Sequence, residues 1–237
     1  MNSGTLQLDS QRRQNRWYCD TCVPAQGVTL KALEGEMVAT SPCKKYMLWI
    51  DGVGAWQLCV GESFIVGAPS FEKKSADIAL LANISRIHAS IKRNSEEWRL
   101  TAHQPTTVSG RTVEQDTVLR SGDEIRLAER VRLGFRIPSI LSTSAVIDFE
   151  SDHRPSHSVD GIILLADHCL LGPRRDHHIR CTHWPDVVVL FLNEGKLRCR
   201  SKAALSVDGQ VAADSIELKH GCVVTGEELR FRVEQME

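Results

Sequence analysis

From Met47 onward the chain reads as a succession of short apolar runs of four to eight residues, rich in Val, Ile, Leu and Trp and separated by Gly, Asp, Asn or Pro. "YMLWIDGVG", "ESFIVGAPS", "HASIKRNSEEWRLTA", "TTVSGRTV" and "EIRLAERVRLGFRI" are examples. Apolar runs of this length, bounded by turn residues, read as strands, and helical periodicity is almost absent. Turns about every ten residues predict a β-sandwich or barrel. A doubly wound α/β fold would need crossover helices, and the pattern supplies none. The fold class expected is all-β.

The pattern also repeats. "FIVGAPS" is echoed by "CLLGPRR", "TVSGRTV" by "SVDGQVA", and "LRSGDEIRLAERVRLGFRIP" by "LKHGCVVTGEELRFRVEQ", in the same order. Ordered matches with offsets of about 100 residues are the mark of a tandem repeat. The 237 residues suffice for two such units. The expected division is an N-terminal segment over 1–46, a first sandwich over 47–138 and a second over 144–237. The connector "IPSILSTSAV" is too short and apolar for a loose tether, so the two sandwiches are expected to pack together. Alternation assigns Trp49, Trp56, Phe64, Ile78, Ile87, Ile91, Trp98, Ile125 and Phe135 to the first core. Leu171, Val188, Leu190, Leu205 and Phe231 fall to the second.

Charge narrows the function. Lys plus Arg number 29 against 30 Asp plus Glu, a formal charge of -1, so no global field draws the chain to nucleic acid or an anionic membrane. Any anion site must be local. The N-terminus "MNSGTLQLDSQRRQNRW" lacks the apolar core of a secretory signal, and no run approaches the ~18 apolar residues of a membrane helix. A soluble, cytoplasmic protein with neither nucleic acid nor membrane as partner is expected. Several of the eight Cys fall in strand-like runs such as "QLCV" and "GCVV", where a reduced thiol acts as a small hydrophobe rather than half of a disulfide framework.

The N-terminal segment is mostly irregular in pattern, its first 16 residues having the composition of a disordered tail. Cys19 and Cys22 have the C-x2-C spacing of half a zinc site, and Cys43 could add a third thiolate, with Cys59 less naturally placed. Without a second C-x2-C the half-site is weak, and reduced cysteines with no metal or other cofactor are the expectation. In "RRDHHIRCTHW", His177, Cys181 and His183 would share one strand face, but the matching stretch of the first repeat, "SADIALLANISR", carries no such ligands. A histidine-bearing strand is therefore the simpler reading. No G-x-S-x-G elbow, H-E-x-x-H or Walker loop is present, and "GVGAWQLCVG" reads as a turn between strands. The chain is expected not to be an enzyme.

"FIVG", "ADIALLANISRIHASI", "TTVSG" and "LRSGDEIRLAERVRLGF" together resemble a forkhead-associated (FHA) domain, whose pattern runs Gly-Arg, Asp-Ile-x-Leu, Ser-Arg-x-His-Ala, Asn-Gly and Gly-Asp-x-Ile. The resemblance covers most of the first repeat, and the second keeps the frame more loosely, as in bacterial proteins with one clear and one degenerate FHA domain. It implies an 11-stranded sandwich whose loops at one end bind a phosphothreonine peptide. Carried onto this chain, it implies Ser85, Arg86, Thr106, Thr107 and Ser109 as peptide-binding residues, with His88, Gly67 and Gly110 bracing the loops.

Two positions depart from the pattern. Ala68 follows Gly67 where the family has Arg, and Ser109 precedes Gly110 where it has Asn. A charge-assisted hydrogen bond contributes about 1.5 to 3 kcal/mol, so loss of that arginine should weaken phosphate binding roughly ten- to a hundredfold. Lys73 or Lys74, in the same loop, could supply a point charge instead. In the second repeat Pro173 follows Gly172, then come Arg174 and Arg175, and the Ser-Arg-x-His position reads "THWPDV". The reading is an adaptor that docks a protein partner, one the resemblance implies to carry phosphothreonine, through the first repeat. The alternative is an FHA-fold scaffold or self-association module without phosphate recognition. The sequence leaves the oligomeric state open.

Overall fold

A computed structural model describes residues 43–70, 76–95, 97–153, 155–211 and 214–236. Every described residue lies in one compact unit, Ala39–Glu237. The expected segment 1–46, with Cys19 and Cys22, therefore lies almost wholly outside the described residues. All regular elements described are strands, and no described helix is long and apolar enough to cross a membrane. The all-β expectation holds.

The first half of the chain supplies β1 (Lys44–Ile50), β2 (Gly54–Val60), β3 (Ser63–Gly67), β4 (Ile78–Ala79), β5 (Ala89–Asn94) and β6 (Glu97–Ala102). It continues with β7 (Thr106–Val108), β8 (Arg111–Thr112), β9 (Asp116–Leu119), β10 (Asp123–Leu127) and β11 (Val131–Arg136). The second half repeats the series as β12 (Ala145–Phe149), β13 (Gly161–Leu165), β14 (His168–Gly172), β15 (Ile179–Arg180), β16 (Val188–Asn193) and β17 (Lys196–Ser201). It closes with β18 (Ser206–Val207), β19 (Gln210–Val211), β20 (Ile216–Glu217), β21 (Val223–Gly226) and β22 (Leu229–Met236).

These strands form three layers. One 12-stranded sheet runs β19-β18-β21-β22-β1-β2-β13-β12-β11-β10-β7-β8, and two five-stranded sheets have the orders β4-β3-β5-β6-β9 and β15-β14-β16-β17-β20. In the large sheet the repeats have exchanged their opening hairpins. β1 pairs with β22, the last strand of the second repeat, and β12 pairs with β11, the last strand of the first. The seam is a parallel pairing of β2 with β13, from Trp56 opposite Gly161 to Val60 opposite Leu165.

Because side chains alternate across a strand, the four exchanged strands are buried on both faces. Tyr46, Leu48, Ile50, Leu58, Val146, Ile163 and Leu165 enter the core around Phe231 and Trp184. Met47, Ala55, Cys59, Ala145, Ile147, Ile162 and Leu164 enter the core around Phe64, Trp98 and Phe135. The two outer sheets thus cover opposite faces of one central sheet. Three core expectations are corrected by the structure. Trp49, on the same face of β1 as Met47, is not in the first core: it is 43% exposed, its indole donating to Glu234 Oε2 at 3.0 Å. Trp56 is only partly buried, at the seam, and Ile87 is 53% exposed in a loop.

The seam has tight local requirements. The Asp160 carboxylate accepts the Ala55 amide at 2.9 Å, and a side chain at Gly54 (φ 131°) would strike it at 2.0 Å. A Cβ at Gly161 would meet the Trp56 ring at 2.4 Å. The connector after β11 is equally fixed: the Trp98 indole donates to the Thr143 carbonyl at 2.7 Å, and Asp167 accepts the Thr143 amide and hydroxyl while pairing with Arg93 at 3.2 Å.

Since four strands serve both cores, residues 43–236 should unfold in a single calorimetric transition. Trp98→Ala, which removes a buried ring packed against Phe64 and Phe135, should lower that one midpoint by about 3 to 5 kcal/mol of stability. A scan that splits into two transitions would contradict the shared-strand architecture.

Candidate functional site

Strand β3 ends at Gly67, where the chain turns past the loop between β4 and β5. Leu80 donates its amide to the Gly67 carbonyl at 2.9 Å and Ala68 donates to the Ser85 carbonyl at 3.0 Å. A Cβ on Gly67 would lie 2.1 Å from the Arg86 carbonyl oxygen and 2.7 Å from that of Ser85, so only glycine lets the loop approach this closely. Ser85 is half-buried and Arg86 exposed, both on that loop.

His88 fixes the loop from beneath. It is 2% exposed, its amide donates to the Val66 carbonyl, and its own carbonyl accepts the amides of His103 and Gln104. Its Nε2 bonds the Pro105 carbonyl at 3.1 Å, which makes Nε2 the protonated nitrogen and leaves Nδ1 buried without a partner among the described residues. Burial lowers the ring's pKa, so it stays neutral while tying the β4–β5 loop to the β6–β7 loop. Asp77 anchors the other flank, its carboxylate accepting the Ile65 amide at 2.8 Å. Burial raises its pKa.

The remaining expected residues are not gathered here. Thr106 is 2% exposed and its hydroxyl donates to the Gln104 carbonyl at 2.8 Å, so it faces the loop's own backbone. Thr107 is half-buried on β7 opposite Thr112. Ser109 (φ 48°) and Gly110 (φ 78°) form the left-handed two-residue turn between β7 and β8. The Ser109 hydroxyl donates to Asp123 at 2.7 Å, beside the start of β10 and at the opposite end of β7 from Pro105. The β6–β7 loop is only His103, Gln104 and Pro105, so the position compared with Asn-Gly falls in a hairpin beyond it. Lys73 and Lys74 lie outside the described residues.

Sequence reasoning missed two contributors. One is the His103–Gln104–Pro105 backbone. The other is the loop between β12 and β13, from the second repeat: Pro155 forms a bridge with Leu80, and the Ser156 amide donates to the Ala79 carbonyl at 2.8 Å. The first was readable as a short turn with proline; the second depends on the hairpin exchange, for which the sequence carries no local signal.

In the second repeat register fixes the equivalences. Leu171 pairs with Ile179 and Val188 as Val66 pairs with Ile78 and Ala89, and Cys181 bonds the Gly172 carbonyl as Leu80 bonds that of Gly67. Val187 therefore stands where His88 stands. The loops are tied instead by Asp186, which accepts its neighbour Val187's amide at 2.7 Å and the Ala203 amide at 3.1 Å. Trp184, in place of Ser85, is buried and stacks on Phe231 at 6.0 Å. A carboxylate and an indole there make a poor phosphate seat.

The histidines nearby are structural. His177 accepts the Arg174 amide and fills the space beside Gly172, where a Cβ would meet its ring at 2.7 Å. His178 is fully buried, accepts the Leu170 amide at Nδ1 and donates from Nε2 to the Ser144 carbonyl at 3.2 Å. Among the described residues no three His, Cys, Asp or Glu side chains could hold a metal. Cys43 lies at the edge of β1 with its thiol toward the Lys44 carbonyl and beside buried Cys59, and the six described cysteines are free.

The family model for the FHA domain matches residues 64–128, the stretch from β3 through β10. Among solved structures, an FHA domain studied for phosphothreonine-dependent interactions is 27% identical, with 36% of this chain and 88% of that one covered and a TM-score of 0.27. The FhaA FHA domain complexed with the intracellular domain of Rv3910 is 28% identical, over 35% of this chain and 92% of that one, with a TM-score of 0.26. The N-terminal FHA domain of EssC, a component of the bacterial Type VII secretion apparatus, is 12% identical over 81% of this chain and 93% of that one, TM-score 0.23. No curated protein matches this chain.

Burial lowers the His178 pKa to about 4, with the Ser144 carbonyl partly opposing the shift. A histidine whose folded pKa lies below its unfolded value of about 6.5 contributes stability that is complete above that value and lost as pH falls toward 4. Denaturant midpoints should therefore drop between pH 6.5 and 4, with His178 accounting for on the order of 3 kcal/mol. His178→Asn, less stable at pH 7.5, should show a flatter profile over the same range, and an unchanged slope would remove His178 as the cause.

Proposed function

We propose that the chain is a non-enzymatic adaptor whose first FHA domain docks a protein partner bearing phosphothreonine on the loop that carries Ser85 and Arg86. The observation that carries this reading is the loop scaffold. Gly67 lets the Ser85–Arg86 backbone close on β3, and neutral His88 clamps that loop to Pro105. Such bracing presents a hydroxyl and a guanidinium on a rigid support, which is what recognition of a dianion with three acceptor oxygens needs. The match over 64–128 places the same stretch in a domain family that serves protein interaction. Phosphothreonine-dependent interactions, described for one of the similar structures, are the chemistry this loop suits.

Ala68 and the engaged Thr106 hydroxyl favour a second reading, in which the sandwich binds a protein by surface complementarity without phosphate. Ala68 contributes an amide and no cation, so under the leading reading the charge comes from Arg86, with Lys73 or Lys74 in reach along the sequence. The second lobe, with Asp186 and Trp184 at its corresponding positions, is no phosphate reader by this route.

Titration of the full chain with a phosphothreonine peptide library and its unphosphorylated counterparts separates the two. The leading reading expects phosphate-dependent binding that Ser85→Ala weakens roughly tenfold or more, the loss of one charge-assisted hydrogen bond. Equal affinity for phosphorylated and plain peptides would leave the second reading in its place.

A further inference from the structure

The parallel seam has a directional consequence for the loops. Parallel strands start at the same end, so the β1–β2 turn (51–53) and the β12–β13 loop (150–160) emerge together, joined by the Ala55–Asp160 bonds. The first lobe's loops lie at that end, because Pro155 and Ser156 of the β12–β13 loop bond Leu80 and Ala79. So do the second lobe's. Asp51 bonds the Arg230 carbonyl at the start of β22, Gly226 opposite Leu229 begins the adjacent turn, and Ser206 opposite Thr225 brings the β17–β18 loop beside it. Asp186 then holds the β15–β16 loop to Ala203. The equivalent loops of both repeats therefore face one way, on opposite sides of the central sheet.

The outer sheets also overlap across the seam. Asp77, before β4, takes a bond from Gln57 on β2, while His178, before β15, bonds Ser144 and takes a bond from Arg136 on β11. The inner loops of the two lobes thus sit back to back across the central layer. Packed sheets are about 10 Å apart, so the two loop sets are roughly 20 Å apart, a distance about six extended residues cross.

What the second lobe presents on this inner side is cationic. Arg175 and Arg180 are exposed without an ion-pair partner among the described residues, and Arg180 lies opposite Gly172. Arg174 pairs with Asp176 at 2.8 Å, and the Asp186 oxygens are taken by backbone amides. Glu227 lines a recess with Ala203 and Thr225, and neither Arg175 nor Arg180 lines it. We infer that a single partner segment engages both lobes: its phosphothreonine on the Ser85 loop and an acidic stretch, six or more residues away, on Arg175 and Arg180. The inference rests on the phosphothreonine reading for its first contact and adds the second contact and the spacing.

The test titrates the full chain with a phosphothreonine peptide carrying an eight-residue Gly/Ser spacer and either four glutamates or four serines, with the tail placed on each side in turn. The glutamate tail should tighten binding about tenfold in at least one orientation, and a three-residue spacer should abolish the gain. Arg175→Glu with Arg180→Glu, both surface changes, should erase the gain and leave the serine-tailed peptide unaffected. If phosphopeptides bind and the glutamate tail adds nothing, the second contact is overturned while the phosphothreonine reading stands. If no phosphopeptide binds, that reading falls and with it the bridging. The glutamate peptide alone, tested against the same double variant, then shows whether the cationic face keeps its acidic ligand or loses that role too.

Discussion

The parallel pairing of β2 with β13 is the constraint from which the rest of the architecture follows. It joins strands of the first and second halves of the chain into one 12-stranded sheet and sets the opening hairpin of each half against the last strand of the other. It also forces residues on β1, β2, β12 and β13 to be apolar on both faces, the composition expected of strands covered on two sides. GIILL, buried at all five positions of β13, is the clearest instance. Where the pairing begins, Gly54 and Gly161 are required by the close approach of Asp160 and the Trp56 ring.

Much of this was legible from residues alone. The apolar runs and turns gave the strands, and the register of β3 and β14 against their neighbours sets the two echoed runs, "FIVGAPS" and "CLLGPRR", in equivalent positions. Hairpin exchange was not legible, because β1 can pair with β11 or β22 using the same alternating pattern, and local sequence does not choose between two acceptors of equal character. Trp49 shows the cost: its size and its alternation with Met47 argued for a core place, yet it is exposed, its indole bonded to Glu234 of β22, the strand that only the exchange brings beside it. At the candidate site a short motif fixes one loop, and Ser85 and Arg86 lie on it with His88 beneath. Ser109 and Gly110 were displaced because the β6–β7 loop is short, which moves every later position along β7.

The two lobes solve one structural problem with different chemistry. Each must hold its β4–β5-type loop against its β6–β7-type loop. The first uses a neutral imidazole donating to a carbonyl, and the second a carboxylate accepting an amide. Both bonds serve the backbone equally well. Their electrostatic surroundings differ, since a buried imidazole leaves room for an anion nearby and a carboxylate repels one.

The exchange also sets an order on biogenesis. Of the described strands β1 leaves the ribosome first, yet its neighbour opposite β2 is β22, the last of them to be made, while the first lobe stays open until β13 has emerged. For that interval the chain carries an apolar hairpin with unmatched edges, a state that long-range β pairing prolongs and that invites association with other nascent chains. Translation speed through residues 137–236, and any chaperone that shields the waiting hairpin, thus becomes part of how this protein reaches its native form.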